Sequence, residues 1–141
     1  MSPERRAWED ERPNDPHIWR TLGYRRTAVE HGLMRVEWDA SEDYCFPSGD
    51  DWIVHGGMVA TLLDTAMGGA CWSVLDPGET FLTADLRVEF FRAGRPGLLR
   101  AEGRVLHKTR RVAFCGGSLE DGDGVAIASA RCTQIIRAKE A

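Results

Sequence analysis

The stretch VHGGMVATLLDTAMGGACW, residues 54–72, constrains this chain more than any other. From Trp52 to Leu75 the only ionisable side chains are His55 and Asp64. Glycines at 56 and 57 open the stretch and Asp76-Pro77-Gly78 supplies a stop, so it reads as one long apolar helix. A helix with almost no polar face has to be covered on nearly every side, by its own sheet or by lipid. Gly56, Gly57, Gly68 and Gly69 weaken an isolated helix, and a carboxylate in mid-membrane costs several kcal/mol. The expectation is therefore a helix wrapped by protein, and no membrane span.

The rest of the chain supplies the wrapping. Two strands, Tyr24–Val29 and Leu33–Asp39, flank a turn at Glu30-His31-Gly32, and Met34, Val36 and Trp38 alternate with Arg35, Glu37 and Asp39. Residues 40–53, with Pro, Gly, Ser and several acids, read as a loop. Beyond the helix, Ala84, Leu86, Val88 and Phe90 fall on one face of a strand and Thr83, Asp85, Arg87 and Glu89 on the other. Residues 93–97 make a turn, and Leu99, Ala101, Gly103, Val105 and His107 then oppose Arg100, Glu102 and Arg104. Lys108–Arg111 is a connection, Val112–Leu119 a further strand, and Asp121-Gly-Asp-Gly124 a hairpin signal before a last strand from Val125 to Ile136. The fold class expected is α+β: a single domain over 17–141, with a long central helix inside a curved antiparallel sheet of five to six strands. Residues 1–16 read as a polar arm.

Composition narrows the partners. With 141 residues, 43% of them hydrophobic, one real core can form. A net charge of -4 argues against nucleic acid as the main partner. Cys45, Cys71, Cys115 and Cys132 show no CxxC pair and no spacing to histidine suited to zinc, so no metal and no cofactor are expected. The first residues carry no apolar core of a secretory signal, which points to the cytoplasm.

Helical spacing gives Asp64 small neighbours, Ala60, Thr61, Gly68 and Cys71, while Val59, Leu62, Leu63 and Met67 lie on other faces. The carboxylate thus sits in a shallow trough. Either another backbone packs there and satisfies it, or it lines a cleft and activates water. The helix entrance offers complementary chemistry. Its first amides have no intrahelical partners, the dipole makes that end electropositive, and Gly56 and Gly57 let a ligand oxygen come close. With His55 as a further donor this is an oxyanion site; alternatively His-Gly-Gly is only a turn into the helix, with His55 as its cap. Gly56 and Asp64 stand roughly 12 Å apart along the axis at 1.5 Å per residue, too far to serve one carbonyl from the same chain. If both act on one substrate, two copies must share each site, as in a two-fold homodimer.

His55-Gly-Gly with Asp64 nine positions after the histidine, then LTADLRVEFFRAG, GRVLHKTRRVAF and GVAIASARCTQI, resembles the hotdog-fold acyl-CoA thioesterases. The likeness is to the phenylacetic-acid-degradation type, related to the 4-hydroxybenzoyl-CoA thioesterases, and runs from about Leu22 to Ile136. It implies a hotdog fold dimerised with active sites between subunits, and hydrolysis of an acyl-CoA to free acid and coenzyme A. It implies that Asp64 is general base or nucleophile, and that Gly56, placed by His55 and joined by Gly57, binds the carbonyl oxygen. Thr83 would hold the acid or the attacking water. Lys108, Arg110 and Arg111 lie where such proteins meet the coenzyme A phosphates, three cations in four residues. Members usually carry Asn or Gln about six residues before the histidine; here that place is Gly49. This departure keeps a second reading open, a non-catalytic acyl-CoA binding or sensing module. A hydratase on the same fold ranks last, since no Asp/His pair stands out. Trp52, Trp72, Phe81 and Phe46 are candidates for an aromatic acyl pocket, and whether dimers pair into tetramers is left open.

Overall fold

A computed structural model of the chain describes residues 15–138, so most of the expected N-terminal arm lies outside the described residues. A short helix α1 (His17–Leu22) leads into β1 (Arg25–Glu30) and β2 (Leu33–Ala40). A 3-10 turn (Glu42–Tyr44), β3 (Cys45–Ser48) and β4 (Asp51–Val54) precede the central helix α2 (Gly56–Trp72). Four strands follow: β5 (Thr80–Phe90), β6 (Gly97–Lys108), β7 (Val112–Asp121) and β8 (Ala126–Arg137). The main sheet is six-stranded and antiparallel, in the order β1-β2-β6-β7-β8-β5, and β3 and β4 form a separate two-stranded sheet. One long helix lies against a six-stranded sheet, as the resemblance implies.

The helix can lie this close because the strands beneath it carry glycine. A Cβ on Gly103 of β6 would strike the backbone of Ala66 and Met67, and one on Gly117 of β7 would press on Leu63 and Met67. Leu62, Leu63, Ala66 and Met67 are fully buried there, against Val36, Trp38 and Leu99. At one end Trp38 donates its indole N–H to Leu22 O (2.7 Å) and meets Tyr24 and Tyr44 edge-on, which ties α1 to the core. The helix stops at Trp72, earlier than the Asp76-Pro77-Gly78 signal. Ser73 donates its hydroxyl to Ala70 O and accepts the Gly32 N–H, both at 2.7 Å, so the chain turns off to meet the β1–β2 turn.

Two expectations are corrected. Residues 45–54 are not loop but a hairpin, in which Phe46, Trp52 and Ile53 supply strand-forming residues. Its turn is Gly49-Asp50, with Gly49 at φ 61°, the backbone a two-residue hairpin asks of its first position. The second correction concerns β5. Thr83 pairs with Gln134 and Leu86 with Cys132, so a bulge at Ala84 puts Thr83 on the same face as Leu86, not the opposite one. An extra residue in one strand reverses the alternation beyond it, and nothing in simple periodicity announces it.

No helix among the described residues is long and apolar enough to cross a membrane.

Candidate active site

Because the bulge turns it inward, Thr83 meets the helix. Its Oγ1 stands 3.0 Å from Asp64 Oδ1, and Asp64 and Thr83 are each half-buried rather than sealed. They open on a cavity of about 350 Å³ that lies between α2, β5 and α1. Its walls are apolar: Trp19, Met34, Trp72 and Phe81. Its floor runs along Gly68 and Gly69, where a Cβ on Gly68 would come within 3.3 Å of the Phe81 ring and one on Gly69 would fall on Met34. The missing side chains therefore let Phe81 and Met34 close onto the helix as walls, and a small polar pair stands at the side of an apolar hollow. That is the usual build of a small-molecule site. A wider hollow of about 540 Å³ lies on the outer face among Arg35, Glu37, Arg100 and Glu102, whose charges already answer one another in ion pairs.

Of the expected aromatic lining, Trp72 and Phe81 are present and Phe46 and Trp52 are not. The latter two project from the β3–β4 hairpin, with Phe46 edge-on to His55 at 6.3 Å.

At the other end of the helix, His55 is the N-cap. Its Nδ1 accepts the Gly57 N–H at 2.9 Å, so in the neutral ring the proton sits on Nε2. Gly57 has thus spent its donor on the cap, and the Gly56 N–H is the amide left without a backbone acceptor among the described residues. A Cβ on Gly56 would come within 3.4 Å of the Phe90 ring, which places the entrance beside the far end of β5. Asp64 beside Thr83, at mid-helix, and Gly56 beside Phe90, at the helix start, thus stand at separate places along one helix–strand pair.

Lys108 closes β6, and Arg110 and Arg111 are exposed in the turn before β7. Lys108 pairs with Ala113, Ala113 with Gln134 and Gln134 with Thr83. The basic turn therefore ends the same row of the sheet as Thr83, three strands or roughly 14 Å away at about 4.8 Å per strand. Gly49 is at the exposed tip of its hairpin, and Asp51 beside it is paired with Arg95 at 3.0 Å. Neither supplies the amide that the resemblance leads one to look for.

The sequence reading missed Gln134. It is fully buried, 3.0 Å from Thr83 Oγ1, on the inward face of β8. The signal was present: Ala128, Ala130, Cys132 and Ile136 share its parity, and a lone amide among them needs a partner. Cys132 in turn is the cross-strand partner of Cys115 on β7; the neighbouring Cys132 thiol, together with burial, pushes the Cys115 thiol up.

Comparison with known proteins gives the family and the fold. The family model described as Thioesterase superfamily matches residues 53–128, which contain the helix entrance, Asp64, Thr83 and the basic turn. A medium/long-chain acyl-CoA thioesterase, YigI of Salmonella typhimurium, is 34% identical over 97 residues, 60% of this chain and 63% of that protein's length. The crystal structure of a phenylacetic acid degradation-related protein from Ralstonia eutropha JMP134 superposes with a TM-score of 0.79 at 29% identity. It covers 86% of this chain and 90% of that one. The PaaI protein of E. coli, from the phenylacetic acid degradation operon, superposes with a TM-score of 0.82 over 98% of both chains. At 22% identity it speaks for the fold alone.

Proposed function

The chain belongs to the thioesterase superfamily, and from that premise we propose that it hydrolyses an acyl-CoA thioester to free acid and coenzyme A. The observation that carries this reading is Asp64, half-buried and held by Thr83 at 3.0 Å, at the side of an apolar cavity of about 350 Å³.

The acyl group lies in the cavity against Phe81, Trp72 and Met34. Asp64 takes a proton from water as the water oxygen adds to the carbonyl carbon; alternatively the carboxylate itself adds and water opens the resulting anhydride. The developing oxyanion is met by the Gly56 N–H, at the positive end of the helix, with His55 holding the turn. When the tetrahedral species collapses, the C–S bond breaks and the thiolate leaves, a thiol with a pKa of about 8.5 needing little acid help. Lys108, Arg110 and Arg111 meet the phosphates of coenzyme A. No cofactor enters the scheme.

Because Gly56 and Asp64 stand roughly 12 Å apart on one helix axis, each site takes its carboxylate from one copy and its oxyanion donor from another. β5 favours such pairing. It is an eleven-residue edge strand with Leu86, Phe90 and Phe91 exposed beside it, a long apolar edge of the kind that pairs with another chain.

The test is release of free thiol from short, long and aromatic acyl-CoAs by the wild type and by Asp64→Asn. We expect turnover on the best substrate to fall by about a hundredfold, or ~2.7 kcal/mol of barrier. Turnover within about threefold of the wild type would sink the mechanism. The vacancy of an amide role at Gly49 favours a second reading, binding without hydrolysis. Saturable acyl-CoA binding by a wild type that releases no thiol would establish it instead.

A further inference from the structure

Thr83 Oγ1 faces two oxygens at once, Asp64 Oδ1 and the amide oxygen of Gln134, each at 3.0 Å. A hydroxyl carries one proton and cannot donate to both. Either the Asp64 carboxyl is protonated and donates to Thr83, or the Gln134 amide stands turned by half a rotation with its NH2 toward Thr83. The two orientations of a side-chain amide fill the same space. Only the second suits an ionised Asp64, the form able to take a proton from water. It also suits the far end of the amide. There the amide nitrogen stands 3.3 Å from Cys132 Sγ, and in the turned amide the oxygen takes that place and can accept the Cys132 S–H.

We propose that Gln134 is a positioning residue for Asp64: its buried amide donates to the Thr83 hydroxyl and so commits that hydroxyl's single proton to the Asp64 carboxylate. This rests on the hydrolytic reading above. Three hydrogen bonds then run one way, from Cys132 to Gln134, to Thr83, to Asp64, across β8, β5 and α2. One carboxylate oxygen is fixed by Thr83, and the other is left for the attacking water. Gln134 is wholly buried, so no solvent molecule competes for its amide and the direction of the chain is set by protein alone.

The test compares Gln134→Met, Thr83→Val and the double variant, with Thr83→Ser as the conservative control. Met keeps the volume and removes the amide. Expected are a fall in kcat of about tenfold for Gln134→Met with KM changed less than about twofold, a similar fall for Thr83→Val, and no further loss in the double variant. Thr83→Ser stays within about threefold of the wild type. Gln134→Met with wild-type kcat, or a double variant in which the two losses multiply, overturns the proposal. A second arm needs neither activity nor a mutant fold. In the labelled wild-type protein at neutral pH, the Gln134 side-chain amide protons should show cross-relaxation to the Thr83 methyl. Cross-relaxation to the Cys132 β-protons alone would overturn the proposal even if Asp64→Asn abolishes thiol release. Silence of the wild type in the thiol assay would sink hydrolysis while this arm still decides which way the amide faces.

Discussion

On the outer face of the sheet Glu102 is met by Arg35 at 2.7 Å and by Arg104 at 2.6 Å, all on side chains that solvent reaches. On the inner face Asp64, Thr83 and Gln134 are joined at 3.0 Å, with Gln134 wholly buried. Both groups are polar networks across neighbouring elements, but they answer to different penalties. Outside, a lost partner is replaced by water, so each ion pair contributes little. Inside, a lost partner leaves a donor or acceptor with nothing, and the cost is that of desolvation. The inner face should therefore be intolerant, in stability at its glycines and in rate at its polar groups, and the outer face should be permissive.

The largest effect on stability is expected at Gly103. Its missing Cβ lets the Ala66–Met67 backbone lie on β6, and backbone cannot give way as a side chain does. Gly103→Ala should cost about 3 kcal/mol or more in a denaturant titration. A loss under about 1 kcal/mol would mean that the helix does not ride on that strand.

Next in size is a change of rate without a change of fold. Proline at the first position of a helix is favourable, and His55, at φ -55° and ψ 132°, already has the extended backbone that precedes proline well. Gly56→Pro thus deletes one N–H and adds a ring whose Cβ would stand 3.4 Å from Phe90, at ordinary contact distance. It should lower kcat by about a hundredfold, as loss of an oxyanion donor does, with Tm close to that of the wild type. Unchanged turnover would remove Gly56 from the chemistry.

The smallest effect belongs to the outer face. Burial would raise the Glu102 carboxyl, but hydrogen bonds from Arg35 and Arg104 outweigh it and hold it below the usual carboxylate range. A folded value below the unfolded one stabilises fully above the unfolded value, and the contribution fades as pH falls through the folded one. Glu102→Gln should cost less than about 1 kcal/mol at neutral pH, leaving Tm almost unchanged, because solvent screens the pair. It should also flatten the decline of Tm on the acid side. A large loss at pH 7 would erase the contrast between the faces.

The contrast also accounts for what could be read in the sequence. The helix was legible because apolar residues run from Met58 to Trp72 between glycines and a stop, and β2 because Met34, Val36 and Trp38 alternate with charges. The β3–β4 hairpin was hidden by its composition: Pro47, Ser48, Gly49, Asp50 and Asp51 look like loop, and only the pairing of Phe46 with Ile53 reveals strands. Asp64 and the helix entrance stood out as polar or glycine-rich exceptions in an apolar run. Thr83 entered through the resemblance, while alternation put it on the wrong face. The bulge at Ala84 that turns it toward Asp64 depends on pairing with β8, a long-range fact. Gln134 was readable as an amide at an inward position, but its partner Thr83 lies 51 residues earlier in the chain.

The central claim is that one site draws Asp64 and Gly56 from different copies. It is tested most directly by co-expressing Asp64→Asn with Gly56→Pro under separate tags and assaying thiol release by the mixed oligomer. Each variant alone is expected to be nearly inactive. In a mixed dimer one site inherits both lesions and the other inherits none, so random pairing should restore about a quarter of wild-type turnover. No recovery in a verified mixed oligomer would contradict the shared site.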